Sequence, residues 1–390
     1  MEKPLRILGI VNLPWDPRLG AARVWFELSE QWKNAGHKID KFCLSDAFPN
    51  PTSSRALYAW RQAIFPYRAA RFVRGHADEF DVVDCLIGAL PFSKKSLRFQ
   101  GIVVGRSVGL YLTYAAFVRS SRKRWPDQPR GKFLGRLFYR LTSWLLRRNA
   151  ESALRYCDRF NVPNAEEKRV LEQRCPGANI VVQPYGLNES ERPALASASQ
   201  PGSARLARKE ICFVGTWDLR KGSRDWPKIV RAVWSSIPDA RFAFLGTMTD
   251  EQAVARDLGL PPQESLRCVT SYDPKELPRL IAGCAVGLFP SYIEGFGISV
   301  IEQLAAGIPT IAYDVPGPRQ IFAAVSDKQF LVPAGDTRAM ADRAIEVMRM
   351  SENDYAALST RCRQIADQFR WEQIAADTAE EYRVALGKRG

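Results

Sequence analysis

The sequence predicts an α/β chain built of two Rossmann-like, doubly wound parallel-sheet domains facing a cleft. Three observations predict it. Short apolar runs alternate with helix-period segments through the first half of the chain; the same alternation restarts in the second half; and a polar stretch rich in Pro, Ala and Ser lies between them. Strand–helix alternation is the pattern of a parallel sheet covered on both faces. A length of 390 residues gives each of two such domains enough chain for its own core.

Taken in order, residues 5–11 form an apolar run that reads as a buried strand, and residues 12–20 a Pro/Gly loop. Residues 21–35 set Val24, Trp25, Leu28 and Trp32 at helical spacing, Gly36 and His37 stop the helix, and residues 38–43 read as the next strand. That is one βαβ unit. Further strands are expected at 81–86, 101–104 and 180–182, closing a first domain over 1–190. Residues 191–209 read as an inter-domain linker. The second series over 210–369 has strands at 211–214, 241–245, 285–289 and 310–312, helices at 225–237 and 275–282, a helix starting at Ile298, and a long helical region at its end. No short-period repeat interrupts it.

Composition narrows the function classes. The chain is 46% hydrophobic and 25% charged, as a globular protein is, and no stretch approaches the 18–20 apolar residues of a spanning helix. The first residues run straight into a strand, so no signal peptide is expected. The eight cysteines are scattered without a C-x-x-C pair and read as reduced cytosolic thiols. With His37 and His76 the only histidines, a histidine metal cluster is excluded.

The net charge of +14 is concentrated in one half. Residues 1–150 carry 26 Lys+Arg against 11 Asp+Glu, whereas 151–390 carry 30 against 31. Such asymmetry points to a polyanionic partner: an anionic membrane surface, an acidic acceptor or nucleic acid. Residues 119–148 hold ten Lys/Arg and one acid, Asp127. Leu134, Leu137, Phe138, Leu141, Trp144 and Leu145 fall there at i, i+3, i+4, i+7, i+10 and i+11, with Arg136, Arg140 and Arg147 on the other face. This is the pattern of an amphipathic basic helix lying in an anionic membrane surface, although a helix packed on its own domain with a solvated basic rim fits it too. Residues 58–74 add four arginines among aromatics and no acid. No helix-turn-helix, zinc finger or aromatic RNA-binding motif accompanies the charge, so nucleic acid is not expected as a partner.

The chemistry concentrates after the strand at 285–289. Pro290 and Ser291 end that strand, Gly295 and Gly297 let backbone approach a ligand closely, and a helix begins near Ile298. Its free N–H groups make an anion site. Glu294 lies in the loop and Glu302 about one turn into the helix, roughly 6 Å along at 1.5 Å per residue. Two carboxylates flanking an anion site suit a nucleotide sugar, with hydroxyls on either side of a diphosphate.

The segment Glu294-Gly295-Phe296-Gly297, the spacing to Glu302 and the following Ala306-Gly307-Ile308-Pro309-Thr310 resemble the E-x7-E block of the family-4 retaining glycosyltransferases of GT-B fold, the group 1 glycosyl transferases. Residues Gly20 to Arg23 resemble the family's first loop and helix, Pro184 to Asn188 its P-N-G-V-D segment, and Phe369-Arg370-Trp371-Glu372 its tryptophan-bearing turn. The resemblance implies that a last helix, 370–390, crosses back to the first domain. Gly215 to Gly222 resembles the family's G-R-…-K-G phosphate loop, with Thr216 in the arginine position, Lys221 in place and Arg220 beside it.

The donor site implied is Gly215, Thr216, Glu294, Gly295, Phe296, Gly297, Ile298 and Glu302, with Glu294, Lys221 and Arg220 in the catalytic roles. Gly20, Arg106 and Ser107 would line the acceptor side. Val108 stands where many relatives carry histidine, which leaves open both an enzyme relying on the backbone carbonyl there and a degenerate relative.

The expected function is transfer of a sugar from a nucleotide sugar to a hydroxyl of a lipid-linked or polysaccharide acceptor. It needs no metal or further cofactor and takes place at the inner face of the cytoplasmic membrane in bacterial surface-polysaccharide biosynthesis. A nucleotide-sugar epimerase on the same fold and a non-catalytic binding subunit are the alternatives.

Overall fold

The computed structural model describes residues 3–126, 133–260, 265–327 and 329–387. The chain divides into two compact units, Met1–Pro184 with Trp371–Gly390, and Tyr185–Arg370.

The first unit holds β1 (Arg6–Val11), β2 (Lys38–Cys43), β3 (Val82–Leu86), β4 (Ile102–Arg106), β5 (Arg159–Val162) and β6 (Asn179–Val182) in the order β2-β1-β3-β4-β5-β6. Every neighbouring pair is parallel. Its main helices are α1 (Gly20–Asn34), α2 (Arg55–Gly75), α3 (Tyr111–Arg124), α4 (Phe133–Tyr156) and α5 (Ala165–Arg174). Val24, Trp25, Leu28 and Trp32 of α1 are all buried. A core of Leu8, Ile10, Phe65, Val83 and Val103 joins strands to α2.

The strand β5 did not show in the sequence because its residues alternate polar and apolar, Arg-Phe-Asn-Val, yet all four are buried. Arg159 Nε donates to Asn161 Oδ1 at 3.1 Å, and Asn161 Nδ2 to Gln183 Oε1 at 3.3 Å. Satisfied in this way, polar side chains can sit inside.

The C-terminal helix, Trp371–Gly387, completes the first unit. Trp32 Nε1 donates to Ala375 O at 3.0 Å, and Tyr382 Oη donates to Asp84 Oδ2 at 2.5 Å. Asp84 in turn pairs with Arg106 Nη2 at 2.7 Å, and neither side chain is more than 1% exposed.

The second unit repeats the plan with β7 (Glu210–Val214), β8 (Arg241–Leu245), β9 (Leu266–Val269), β10 (Cys284–Phe289), β11 (Thr310–Tyr313) and β12 (Leu331–Val332), ordered β12-β11-β10-β7-β8-β9. All neighbouring pairs are again parallel. Its helices include α6 (Glu191–Ser197), α7 (Gly202–Arg208), α8 (Trp226–Trp234), α9 (Ile298–Ala305), α10 (Thr337–Met348) and α11 (Glu352–Ala366). Both β7 and β10 are buried along their whole length, which is why they stand out in the sequence as continuous apolar runs. Strand order reverses at β7, with β8 on one side and β10 on the other, so a crevice opens beyond the carboxyl ends of β7 and β10.

Residues 191–209 are not a linker. They form α6 and α7, packed inside the second unit. The polar composition is misleading because Arg205 is buried at 1% exposure and serves as glue: Nε donates to Ala282 O at 3.0 Å and Nη2 to Ala306 O at 2.9 Å.

Candidate active site

The loop after β7 is shaped from within. Gly215 adopts φ +154. Thr216 Oγ1 donates to Asp218 Oδ2 at 2.7 Å, and Asp218 Oδ1 accepts from the Lys221 amide at 3.0 Å, capping the short turn Leu219–Lys221. Gly222 closes the loop at φ +80, where a Cβ would lie 2.3 Å from Pro290 O. Only glycine fits there, and its absence of side chain lets this loop press on the loop after β10. The Tyr292 amide donates to Arg220 O at 2.8 Å, stitching the two loops together at the point where strand order reverses.

Into this junction come Glu294, Lys221 and Arg220. Lys221 Nζ lies 2.5 Å from Glu294 Oε2, and Arg220 Nη1 lies 3.6 Å from the same oxygen. Side-chain exposure is 12% for Lys221, 14% for Glu294 and 25% for Arg220. Lys221 Nζ also sits 4.6 Å from the centroid of the Phe289 ring. Burial pulls the Lys221 ammonium below its ordinary pKa and Arg220 pulls the same way, while Glu294 opposes both. Thr216 is turned to Asp218 and shapes the loop rather than supplying charge.

Beyond Glu294 the backbone turns into α9. Gly295 and Phe296 are buried, the Phe296 ring meeting Tyr185 and Phe369 edge-on at 5.5 and 5.3 Å. Gly297 is the N-cap at φ +104, and no side chain caps the helix. The Val300 amide donates to Gly297 O at 2.9 Å, and the Ile298 and Ser299 amides ahead of it keep hydrogen-bonding capacity for an anion. Glu302 is buried within α9.

A support that the sequence did not announce lies behind the loop. Asp225 Oδ2 accepts from Tyr292 Oη at 2.5 Å and from Tyr313 Oη at 2.7 Å. The three residues come from three separate segments, so no local spacing betrays them.

The residues read as acceptor-side lie in the first unit and fare differently. Gly20 is exposed at the start of α1, and a Cβ there would meet nothing within 4 Å. Arg106 is 1% exposed and spent on internal partners: Asp84, Gln183 and, at 3.1 Å, Tyr382 Oη. Its reading as an acceptor contact is corrected, since a guanidinium so enclosed holds the unit together instead. Ser107 is 2% exposed; its Oγ donates to Glu167 Oε2 at 2.5 Å and accepts from the Gly109 amide at 3.1 Å. It orders the 107–110 turn. Glu167, at the start of α5, also accepts from the Leu110 amide at 3.3 Å, and burial pushes its carboxyl up to about 7.

Residues 198–367 match the family model described as Glycosyl transferases group 1. The phosphatidyl-myo-inositol mannosyltransferase of Mycobacterium leprae is 29% identical over 175 residues, 44% of this chain and 45% of that protein. The GDP-mannose:cellobiosyl-diphosphopolyprenol alpha-mannosyltransferase of Xanthomonas campestris is 24% identical over 213 residues, 53% of this chain and 55% of that one. The chain thus spans about half the length of these curated relatives. In structure it resembles the sucrose-phosphate synthase of Thermosynechococcus elongatus, with a TM-score of 0.74 over 98% of this chain and 100% of that one at 18% identity.

Proposed function

Residues 198–367 belong with the group 1 glycosyl transferases and the chain has the GT-B fold, and on that premise we propose that it moves a sugar, with retention, from a nucleotide sugar to an acceptor hydroxyl. One observation carries the reading. Two cations, Lys221 and Arg220, converge on Glu294 at the strand-order reversal, beside a helix start that no side chain caps. This arrangement supports a site for a doubly charged group with hydroxyls next to it.

In the reaction the bond between anomeric carbon and diphosphate oxygen breaks, and its electron pair stays on the diphosphate. The acceptor oxygen bonds to the same face of the carbon, and its proton leaves to the diphosphate. Lys221, Arg220 and the first amides of α9 face the oxygens on which charge grows, so they stabilise the transition state more than the ground state. Glu294, freed from the cations by the diphosphate, takes sugar hydroxyls, and Glu302 takes the ribose. Positive charge supplied in this way needs no metal.

Both relatives named above act, by their names, on lipid-borne acceptors, phosphatidyl-myo-inositol and a diphosphopolyprenol. This supports a lipid-linked or polysaccharide acceptor, handled at the inner face of a cytoplasmic membrane in surface-polysaccharide synthesis. The test is a panel of nucleotide sugars scored for thermal stabilisation, where a ligand at 100 times its Kd adds about 2.7 kcal/mol. It is followed by release of free nucleoside diphosphate on adding acceptor in the presence of EDTA. Binding with no release refutes transfer and favours a binding subunit; an epimerised donor with no acceptor product favours the epimerase.

A further inference from the structure

We propose that α2 and α4 together form a docking surface for an anionic phospholipid bilayer. The argument begins with the side of α4 that faces the protein. Its buried residues are Thr142, Asn149, Ala150 and Ala153, small or polar side chains at helical spacing, and Asn149 Nδ2 donates to Ala63 O of α2 at 3.1 Å. Of its large apolar residues, Phe138, Leu145, Leu146 and Leu154 are half-buried, Leu154 against the core, and three others face outward. Leu137 is 57% exposed, Leu141 46% and Trp144 54%. A helix that packs with small residues while Leu137, Leu141 and Trp144 stand about half exposed has an apolar strip turned outward. This favours the membrane-surface reading of the stretch, since Leu137, Leu141 and Trp144 of the stripe lie outside the core. Leu134 lies outside the residues whose side chains are described.

The surface continues onto α2. Leu57, Trp60 and Tyr67 are exposed there on one face, and Arg71 and Arg74 extend the same stripe. The Trp60 and Phe138 rings lie 6.5 Å apart and join the two helices. Beside them Ser54, Ala56, Leu57, Trp60 and Phe138 line a shallow, open hollow of about 480 Å³ that is mostly apolar.

Charge selects the occupant. Helices α2 and α4 carry five arginines each, and Glu151 is their one acidic residue. Arg140, Arg147 and Arg148 are exposed beside the leucines, Arg148 lying 5.6 Å from the Trp144 ring centroid. Interleaved arginine and bulky apolar side chains match the phosphate and acyl layers of an anionic leaflet. Nucleic acid would use the arginines and leave Leu137 and Leu141 in water. The proposal extends the membrane-side placement above, and its test is read without turnover, so failure here leaves the transfer reading standing.

The test is co-sedimentation of the full chain with phosphatidylcholine vesicles, with and without phosphatidylglycerol. Wild type should bind only the anionic vesicles. Leu137→Gln, Leu141→Gln and Trp144→Gln combined should weaken binding by about tenfold or more with an unchanged circular dichroism spectrum. A second variant, Arg71→Glu with Arg140→Glu, touches no buried residue and should also release the protein. Should the triple variant unfold, the charge-reversed pair decides alone. Wild type that ignores anionic vesicles, that binds duplex RNA or DNA in preference, or whose charge-reversed pair binds as well as before overturns the proposal.

Discussion

Glu294 holds two cations, Lys221 and Arg220, at 2.5 and 3.6 Å, and the proposed donor's diphosphate would compete with it for both. The sequence names Glu294 and Lys221 apart; their meeting across 73 positions is made by the fold. Losing a charge-assisted hydrogen bond costs roughly 1.5–3 kcal/mol. Lys221→Ala should therefore lower kcat, and not only raise the donor KM, by about tenfold to a hundredfold in steady-state kinetics. Glu302→Gln should weaken donor binding in a protein that melts as wild type does, checked by titration calorimetry. Arg106 offers a contrast, because removing one partner of a buried pair strands the other. Arg106→Ala should lower unfolding stability by about 3–5 kcal/mol in denaturant titration. Glu167 makes stability depend on pH. Its carboxyl is raised to about 7 in the fold from an ordinary 4.5, so the folded state holds the proton more tightly. Its contribution is present at low pH and is lost as pH rises from about 4.5 through about 7. Glu167→Gln should flatten the melting temperature across that window, measured at pH 5 and pH 8.

Elements are placed by residues that lie outside the loops they support. The Asp225 carboxylate holds Tyr292 of the Glu294 loop and Tyr313 of β11 at once, and the two rings meet at 5.3 Å. Tyr292→Phe removes one of these bonds without emptying the space. It should lower kcat more than it lowers the melting temperature, since it loosens the loop rather than the core; equal losses of both would show a merely structural role. The apolar strands β1, β7, β8 and β10 were legible because burial on both faces leaves continuous hydrophobic runs. By contrast β5 was not, since Arg159 and Asn161 are buried by bonding to each other. The helices α6 and α7 were hidden by the same device, an arginine whose charge is answered by backbone carbonyls. Hydropathy records what a side chain prefers in water and does not register a partner brought from far along the chain.

On the scale of the whole molecule, the doubled α/β plan was readable from alternation alone, while the division of the chain into units was less so. The first unit ends at Pro184 and resumes at Trp371, with the entire second unit inserted between. Trp32 and Tyr382, 6.0 Å apart, join helices from the two extremes of the sequence. Deleting residues 371–390 should therefore unfold the first unit and spare the second, as limited proteolysis would show. The insertion also orders events at the ribosome. The second unit leaves as one uninterrupted segment, whereas the first must wait for its last helix through the 186 residues of 185–370. At about 5–20 residues per second that is a delay of roughly 10–40 s. Throughout it Asp84 and Arg106 lack the tyrosine hydroxyl that closes their network. The half of the protein made first is the half that matures last, and it carries the basic, apolar surface. A nascent chain in that interval is the form most in need of a chaperone.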